Sequence, residues 1–327
     1  MTTSPESILV HVSGDRLGDA LLKYPVLRAL REELPNVKLT WITSRRPSIF
    51  NGRLSDLAAG LIDEIHTETG IGNSLLKPLP AYVTGPFDTV LASESRLRDA
   101  LVLRRIPSQE FISPAAGFLI SRRKPNEPFK SLSSYDRFRV LMSLATGRAL
   151  RPRAEISIPA EVEEIARHAL PDSHRLVGLS PGAGGARKRW PLTGYIELAR
   201  RLSERGLVPV FFGGPEESEM WEALGREIPF ALTPERMLAA RLDGNPMITI
   251  ALARQLRFAI ANDSGGGHLI AAAGRPLITL FGHTDAGKFS SPYCRHLTLS
   301  ARQLQRQSIE DISVEDVLEA IDAAALI

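Results

Sequence analysis

The stretch that decides the fold runs from Ala259 to Asp285 and reads AIANDSGGGHLIAAAGRPLITLFGHTD. Phe258 to Ala261 and Leu277 to Phe281 are short apolar runs that suit buried parallel strands. Between them, Leu269 to Ala273 is typical of a small helix. The stretch therefore predicts strand, turn, helix and strand, which is the repeating unit of an α/β fold.

The turn before this helix places polar residues and three glycines directly after a strand. Glycine leaves the first N–H groups of a helix open to a ligand, and phosphate binds at such turns in doubly wound folds. Alternatively, the glycines only make a tight turn, and the histidine only caps or packs the helix. The turn before this helix is therefore a candidate anion site.

The composition is that of an ordinary globular protein with two domains. The chain has 327 residues, of which 43% are hydrophobic and 24% charged, and no apolar run is long enough to span a membrane. The N-terminus lacks the basic region of a signal peptide, so we expect a cytoplasmic protein. A single cysteine, Cys294, excludes an internal disulfide and a cysteine-based zinc site, and we expect no bound metal and no cofactor.

Strands and helices alternate along both halves of the chain. The predicted strands are Ser7–Val12, Val37–Ile42, Ile62–His66, Phe87–Leu91, Arg175–Ser180 and Leu207–Phe212. The predicted helices are Asp136–Ala145, Leu192–Leu202, Glu216–Leu224, Met247–Leu256 and one that begins after Ser313, together with a first helix that Pro25 either opens or kinks. The fold class is therefore α/β, with two Rossmann-like doubly wound domains, residues 1–160 and 161–327, facing a central cleft.

The second half supplies two further turns at strand ends. Ser180 and Gly182 begin a glycine-rich loop that runs into three cations, among them Lys188, which favours phosphate binding. Lys188 could then neutralise a leaving phosphate. Glu216 follows Phe212-Gly213-Gly214-Pro215 and could accept hydrogen bonds from ribose hydroxyls, with helix capping as the equal alternative.

The first half supplies a loop with two carboxylates and an excess of arginine. Asp19 follows the first predicted strand and is a candidate general base, although most such residues only cap a turn. Basic pairs such as Arg45-Arg46 form a solvated face or attract an anionic partner. Nucleic acid is disfavoured, because no aromatic residues interleave with the basic ones. The candidate residues for binding such an anionic partner are Arg16, Arg96, Arg98 and Arg122.

Taken together, the motifs resemble glycosyltransferase family 9, the heptosyltransferases of lipopolysaccharide core assembly. The matching residues are Leu17-Gly18-Asp19, Pro25, Leu27–Arg31, Lys188–Pro191, Gly213–Glu216, Asn262–Gly265, His268-Leu269, Phe281-Gly282 and Thr284-Asp285. The resemblance implies a GT-B fold, an acceptor bound by the N-terminal domain, and a nucleotide-activated donor, typically ADP-heptose, bound by the C-terminal one. It further implies metal-independent inversion of the anomeric centre.

Carried over by position, the resemblance makes Asp19 the general base, Lys188 the donor-phosphate cation and Glu216 the ribose contact. It also implies a donor pocket that includes Asp263, Ser264, Gly265 and His268. The expected acceptor is an anionic glycan or glycolipid, with peripheral contact at the cytoplasmic face of the inner membrane. The acceptor-binding residues would be Arg16, Arg96, Arg98 and Arg122. Two departures from the family pattern are Gly266-Gly267, where a Pro-Met pair is usual, and Asp15-Arg16, where small polar residues are usual. The alternative functions are a nucleotide-sugar epimerase of the same architecture and a catalytically degenerate nucleotide-sugar binder.

Overall fold

The computed structural model describes residues 4–75, 78–214, 218–242, 244–282 and 291–327. The chain divides into two compact units, Met1–Arg153 and Ala154–Ile327, whereas the sequence analysis divided it after residue 160. Each unit has a parallel sheet flanked by helices, which confirms the predicted α/β class.

The first unit is built on a five-stranded parallel sheet with the strand order β3-β2-β1-β4-β5. Its strands are β1 (Ser7–Val12), β2 (Lys38–Thr43), β3 (Glu64–His66), β4 (Phe87–Ala92) and β5 (Ser108–Ile112). Its helices are α1 (Leu17–Glu33), α2 (Ser55–Ala58), α3 (Leu97–Leu103) and α4 (Ser134–Thr146). Pro25 lies inside α1 and does not open it. Of the two alternatives for this proline, the helix that begins before it is the one that forms.

The second unit has a five-stranded parallel sheet with the order β10-β9-β8-β6-β7. Its strands are β6 (Leu176–Ser180), β7 (Val208–Phe211), β8 (Phe258–Asn262), β9 (Leu277–Phe281) and β10 (His296–Ser300). Its helices are α5 (Ala160–Ala169), α6 (Leu192–Glu204), α7 (Ser218–Glu227), α8 (Pro234–Leu242), α9 (Pro246–Ala253), α10 (Gly265–Ala272) and α11 (Val314–Ala323). The predicted closing helix is confirmed, with Ser313 as its N-cap.

The core of the second unit explains why its strands read as continuous apolar runs. Every residue of β6, β8 and β9 is buried, because helices cover both faces of a parallel sheet. Phe211 and Phe258 are fully buried and belong to the same hydrophobic core as Leu198 and Leu202 of α6. Burying that apolar surface is the main source of stability for the unit.

In both units the strand order reverses next to the first strand. In the first unit the reversal lies between β1 and β4, where the Ser13 hydroxyl donates to Glu94 Oε1 at 3.2 Å. In the second unit it lies between β6 and β8. Crevices outside the carboxyl ends of strands at such points are the usual ligand sites of open α/β sheets.

Asp15 anchors the turn between β1 and α1. Its carboxylate is buried and accepts from Trp41 Nε1 at 2.8 Å and from Ser48 Oγ at 2.9 Å. It also forms an ion pair with Lys23 on α1. Burial alone would lower the pKa of Lys23, but the charges of Asp15 and Asp19 outweigh burial and raise it. The ion pair with Lys23 and the two hydrogen bonds thus give Asp15 a structural role in this turn.

We predict that Asp15→Ala lowers the free energy of unfolding by about 3–5 kcal/mol, because Lys23, whose side chain is only 15% exposed, loses its partner. The matched control is Asp56→Ala, which removes an exposed carboxylate from the first turn of α2. Urea unfolding of both variants measures the difference. Equal stability of the two variants would show that Asp15 does not anchor this turn.

Candidate functional site

The turn after β8 forms the N-terminus of α10. Ser264 is the N-cap, and its hydroxyl accepts from the Gly267 N–H at 3.1 Å. The helix begins at Gly265, four residues earlier than the sequence predicts. The N–H groups of Gly265 and Gly266 have no acceptor within the helix, because they precede its first full turn. They form one wall of the candidate anion site.

Close packing leaves no room for a side chain at Gly267 and little room for one at Gly266. Gly266 and Gly267 lie in helical conformation within α10. A Cβ atom on Gly267 would lie 2.8 Å from the Asn262 carbonyl oxygen, and one on Gly266 would lie 3.1 Å from Ser180 Oγ. The departure from the family pattern at these two positions therefore lets α10 start against the ends of β6 and β8.

Lys188 and Asp263, 75 residues apart in sequence, meet at the carboxyl end of this sheet. Lys188 Nζ lies 2.5 Å from Asp263 Oδ2, and the Asp263 side chain is 7% exposed while that of Lys188 is 42% exposed. The cation is thus fixed beside the open end of α10 and still faces solvent. Such a pair can hold an ammonium group ready for an anion.

Asn262 holds the loop that carries Lys188, a role that the sequence analysis did not assign. Its buried Oδ1 accepts from the Trp190 N–H at 3.1 Å and from the Tyr195 hydroxyl at 3.2 Å. Its Nδ2 donates to the Pro181 carbonyl at 2.7 Å. The sequence carried one signal for this role: Asn262 ends an apolar strand. A buried amide at that place requires hydrogen-bond partners.

A small pocket beneath α10 brings His268 together with two residues that the sequence analysis missed, Thr279 and His296. Ser291 N–H donates to His296 Nδ1 at 3.3 Å, so the Nε2–H is the donor toward Thr279 Oγ1 at 2.8 Å. Burial, followed by the charge of His268, lowers the pKa of His296 to about 4. His296 is therefore neutral and fixed in one tautomer.

Two other residues of the predicted donor pocket lie at the carboxyl end of β6. Ser180 ends β6 and is 3% exposed, and Gly182 follows it in the loop that Asn262 holds. Glu216 lies outside the described residues, as do Thr284 and Asp285 of the matching motifs. In the described part of the chain, no three histidine, cysteine or carboxylate side chains are grouped as metal ligands would be.

The first unit has an arginine-lined pocket at its own strand reversal. Arg16, Arg45, Arg46 and Arg96 surround Asp19 in a pocket of about 320 Å³, completed by Ser13 and Gly14. Asp19 is exposed in the first turn of α1, where Oδ2 accepts from the Arg16 N–H at 3.4 Å. The pocket therefore combines one carboxylate with an excess of positive charge.

The predicted acceptor residues do not all share this pocket. Arg98 donates to the Asn73 carbonyl, and Arg122 donates to the Gln109 carbonyl at 3.1 Å and lies 3.5 Å from Glu110. Neither lines the pocket, whereas Arg45 and Arg46, which the sequence analysis counted only as a basic pair, do. They were missed because the loop after β2 approaches the β1 turn only in the folded unit.

Two parallel α/β units, each with a polar crevice at its strand reversal, define the class of doubly wound α/β proteins, whose ligands bind at such points. Residues 83–319, more than half of the chain, match the model of glycosyltransferase family 9 (heptosyltransferase). The chain belongs to this family, as the motifs predicted.

Relatives and solved structures agree with this membership. The chain is 29% identical over 194 residues to lipopolysaccharide heptosyltransferase 2 of Escherichia coli K12, a match that covers 54% of each chain. It spans about half the length of the curated relatives it matches.

The fold is similar to that of a glycosyl transferase family 9 protein from Veillonella parvula, with a TM-score of 0.68, 19% identity and coverage of 98% and 97% of the two chains. E. coli heptosyltransferase WaaC, solved with ADP-2-deoxy-2-fluoro heptose, gives a TM-score of 0.62 at 16% identity, with coverage of 97% and 99%. These likenesses confirm the GT-B fold class.

No described helix is long and apolar enough to cross a membrane.

We predict that His296 makes the second unit less stable in mild acid. Its pKa is about 4 in the folded chain and about 6.5 when unfolded, so the unfolded chain binds the proton first as the pH falls. The contribution of neutral His296 is complete above pH 6.5 and is lost as the pH falls toward 4. Between pH 7 and 5 the loss is on the order of 1–2 kcal/mol.

Denaturant unfolding of the parent and of His296→Gln at both pH values measures this contribution. His11 is also buried with its pKa lowered to about 4, but it is present in both proteins and its effect cancels. The parent should lose more stability than the variant. Parallel losses would mean that His296 titrates normally in the folded chain.

Proposed function

We propose that the protein is an inverting, metal-independent glycosyltransferase that moves a heptose from ADP-heptose to a lipopolysaccharide-core or similar glycan acceptor. The observation that carries the proposal is the Lys188–Asp263 pair beside the Ser264-capped start of α10. Family membership supports transfer and does not favour the epimerase alternative. The ligand in the WaaC structure, ADP-2-deoxy-2-fluoro heptose, supports ADP-heptose as the donor.

In this proposal the second unit binds the donor diphosphate. Lys188 and the N–H groups of Gly265 and Gly266 contact the phosphate oxygens, because a cation and a helix N-terminus both favour negative charge. The rest of the proposed donor pocket comprises Ser180, Gly182, Glu216, Asp263, Ser264 and His268. As the bond between the anomeric carbon and the phosphate oxygen breaks, the charge on the diphosphate increases. Donors aimed at that charge stabilise the transition state more than the bound substrate.

Asp19 acts as the general base on the acceptor side. Its carboxylate takes the proton of an acceptor hydroxyl while that oxygen attacks the anomeric carbon on the face opposite the diphosphate. One backside displacement inverts the anomeric centre, and nucleoside diphosphate is the other product. The exposure of Asp19 in the first turn of α1 supports this role, since a base must reach a proton on an incoming substrate.

The arginine pocket around Asp19 favours an acceptor that carries phosphate or carboxylate groups near the attacked hydroxyl. Arg16, Arg45, Arg46 and Arg96 give this pocket four cations against the single charge of Asp19. Guanidinium groups bind phosphate and carboxylate bidentately, which fixes the orientation of the ligand. We place Arg16 and Arg96 among the acceptor contacts on this ground and propose Arg98 and Arg122 only as members of the surrounding basic surface.

We predict that Asp19→Asn lowers kcat at least about a hundredfold, because a positioned general base contributes roughly 10²- to 10⁴-fold. Product formation from ADP-heptose and a heptose-accepting core oligosaccharide measures the loss, and donor binding should be unchanged. The control is Asp56→Asn, which changes an exposed carboxylate on α2 that does not line the arginine pocket. This variant should keep the parent rate. Turnover of Asp19→Asn at the parent rate would remove Asp19 from the role.

We also predict that Lys188→Ala weakens donor binding and lowers kcat, with a loss of about 3 kcal/mol in kcat/KM, the usual cost of one well-aimed donor. Lys188→Arg should recover part of the loss, since the positive charge is kept. Arg226→Ala, an exposed cation on α7, controls for net charge. If Lys188→Ala and Arg226→Ala behaved alike, the phosphate assignment would be wrong.

A further inference from the structure

Asp99 of α3 is a buried carboxylate without a hydrogen bond. Its side chain is 1% exposed, and neither of its oxygens has a hydrogen-bond partner in the part of the chain that the structure describes. A Cβ atom on Gly72 would lie only 2.9 Å from the Asp99 carboxyl carbon, so the backbone of the loop after β3 closes one side of this group. A buried carboxylate normally offsets its lost hydration with hydrogen bonds. Asp99 lacks that compensation.

Arg45 connects this carboxylate to the arginine pocket. Its Nη2 lies 3.7 Å from Asp99 Oδ1, within the range of an ion pair but too far for a hydrogen bond. The same side chain is 39% exposed and lines the pocket around Asp19. The Arg45 N–H donates to the Ser13 carbonyl at 3.1 Å, which fixes the backbone from which the side chain starts. One guanidinium group can thus turn toward Asp99 or toward a ligand in the pocket.

Two further buried polar groups next to Arg45 have no partner among the described residues. His11 of β1 is fully buried, and neither of its ring nitrogens is hydrogen-bonded. Burial, followed by the charge of Arg45, lowers the pKa of His11 to about 4. The hydroxyl of Ser44, the residue before Arg45, is likewise buried and unpaired. Neither group therefore holds the Arg45 guanidinium in one position.

Two cations act on Asp99, and they differ in how firmly they are held. Burial raises the pKa of Asp99, and the charges of Arg45 and Arg98 reverse this only in part. Arg98 already donates to the Asn73 carbonyl, which leaves Arg45 as the cation of the two that can change its position. An anion bound at Arg45 would engage its donors and bring negative charge toward Asp99. Both effects favour the protonated carboxyl.

We propose that Asp99 is a positioning residue that competes with an anionic ligand for Arg45, so that binding in the arginine pocket is coupled to uptake of one proton by Asp99. Before a ligand binds, Arg45 is directed toward the ionised carboxylate. When the ligand draws the guanidinium into the pocket, a proton from solvent binds to an Asp99 oxygen and no buried charge is left unpaired. That the ligand is a glycosyl acceptor rests on the proposed function, whereas the coupling does not.

The direction of the pH dependence follows from the two states of Asp99. Burial holds the pKa of this carboxyl above its usual value, and a bound anion raises it further. Above both values neither state is protonated, so the affinity does not depend on pH. As the pH falls through them, the bound state takes up the proton first and the affinity increases. The other titratable groups near Arg45 are His11 and Asp19, while Arg16, Arg46 and Arg96 of the pocket keep their charge.

Modification of arginine by phenylglyoxal tests the coupling, with sulfate as the ligand because it stays a dianion over the pH range used. Mass spectrometry of peptides measures the modification of Arg45 separately from that of the other arginines. The sulfate concentration that halves the Arg45 rate gives an apparent Kd, and the ratio to the rate without sulfate cancels the pH dependence of the reagent. The Kd of the parent should be at least about threefold lower at about pH 6 than at about pH 8.

Variants at Asp99 identify the group that takes up the proton. Asp99→Asn and Asp99→Leu both remove the charge at similar side-chain size, so each should show one Kd at both pH values, no higher than that of the parent at the lower pH. The control is Asp63→Asn, which removes a carboxylate paired with Arg31 in the same unit and should keep the pH dependence of the parent.

Three results would overturn the proposal. The first is a Kd of the parent that does not change with pH. The second is a pH dependence that persists in Asp99→Asn, because His11 or Asp19 would then take up the proton. The third is an equal shift of the Kd at both pH values in the two Asp99 variants, which is the result of a purely structural role.

Transfer to a phosphorylated core oligosaccharide distinguishes this coupling from the proposed function. At about pH 8, Asp99→Asn should lower the KM for that acceptor at least about threefold and leave kcat at the parent value, since Asp99 does not line the pocket. Sulfate binding that depends on pH, without any transfer, would contradict the proposed function and leave the coupling intact. Transfer by a parent whose sulfate binding is independent of pH would contradict the coupling alone.

Discussion

The buried amide of Asn262 is the contact on which the candidate anion site of the second unit depends. One side chain joins the end of β8 to Pro181, Trp190 and Tyr195, so the loop from 181 to 190 has a fixed position relative to the start of α10. Lys188 lies within that loop and reaches Asp263 because of it. The oxygen and the nitrogen of the amide both have protein partners, and a buried polar group left unpaired by their loss would cost about 1–3 kcal/mol. A rigid cation is thus placed beside a helix N-terminus before any ligand arrives.

The two units use the same parallel-sheet principle with different chemistry at the strand reversal. In the second unit, backbone N–H groups and one lysine face the site, and the carboxylate beside them is paired. In the first unit, four arginines surround an exposed carboxylate. A diphosphate suits the second unit, because backbone N–H groups and a lysine can approach phosphate oxygens closely. A ligand with several anionic groups suits the arginines of the first unit, where the Asp19 carboxylate is exposed to solvent.

Much of the fold follows from the sequence because buried parallel strands are apolar throughout. The predicted β1 and β9 have the observed bounds, and β8 and β6 differ by one residue. The missed strands β5 and β10 are partly exposed edge strands with polar residues, so they lack that pattern. The start of α10 was misplaced because glycine has a low helix propensity, which close packing against Asn262 and Ser180 overrides. The site residues Asp19, Lys188 and Asp263 carry sequence signals, but Arg45, Arg46 and His296 come to their pockets only through folding.

The central claim is that the chain binds the diphosphate of a nucleotide sugar, and thermal unfolding with a panel of nucleotide sugars tests it most directly. A ligand that binds only the folded chain stabilises it by about 2.7 kcal/mol at 100 times its Kd, which raises the Tm by on the order of 5–10 °C for a unit of this size. The account predicts such a rise with ADP-heptose, a smaller one with ADP, and none with the free sugar. An unchanged Tm with every nucleotide sugar, or an equal rise with the free sugar, would contradict it.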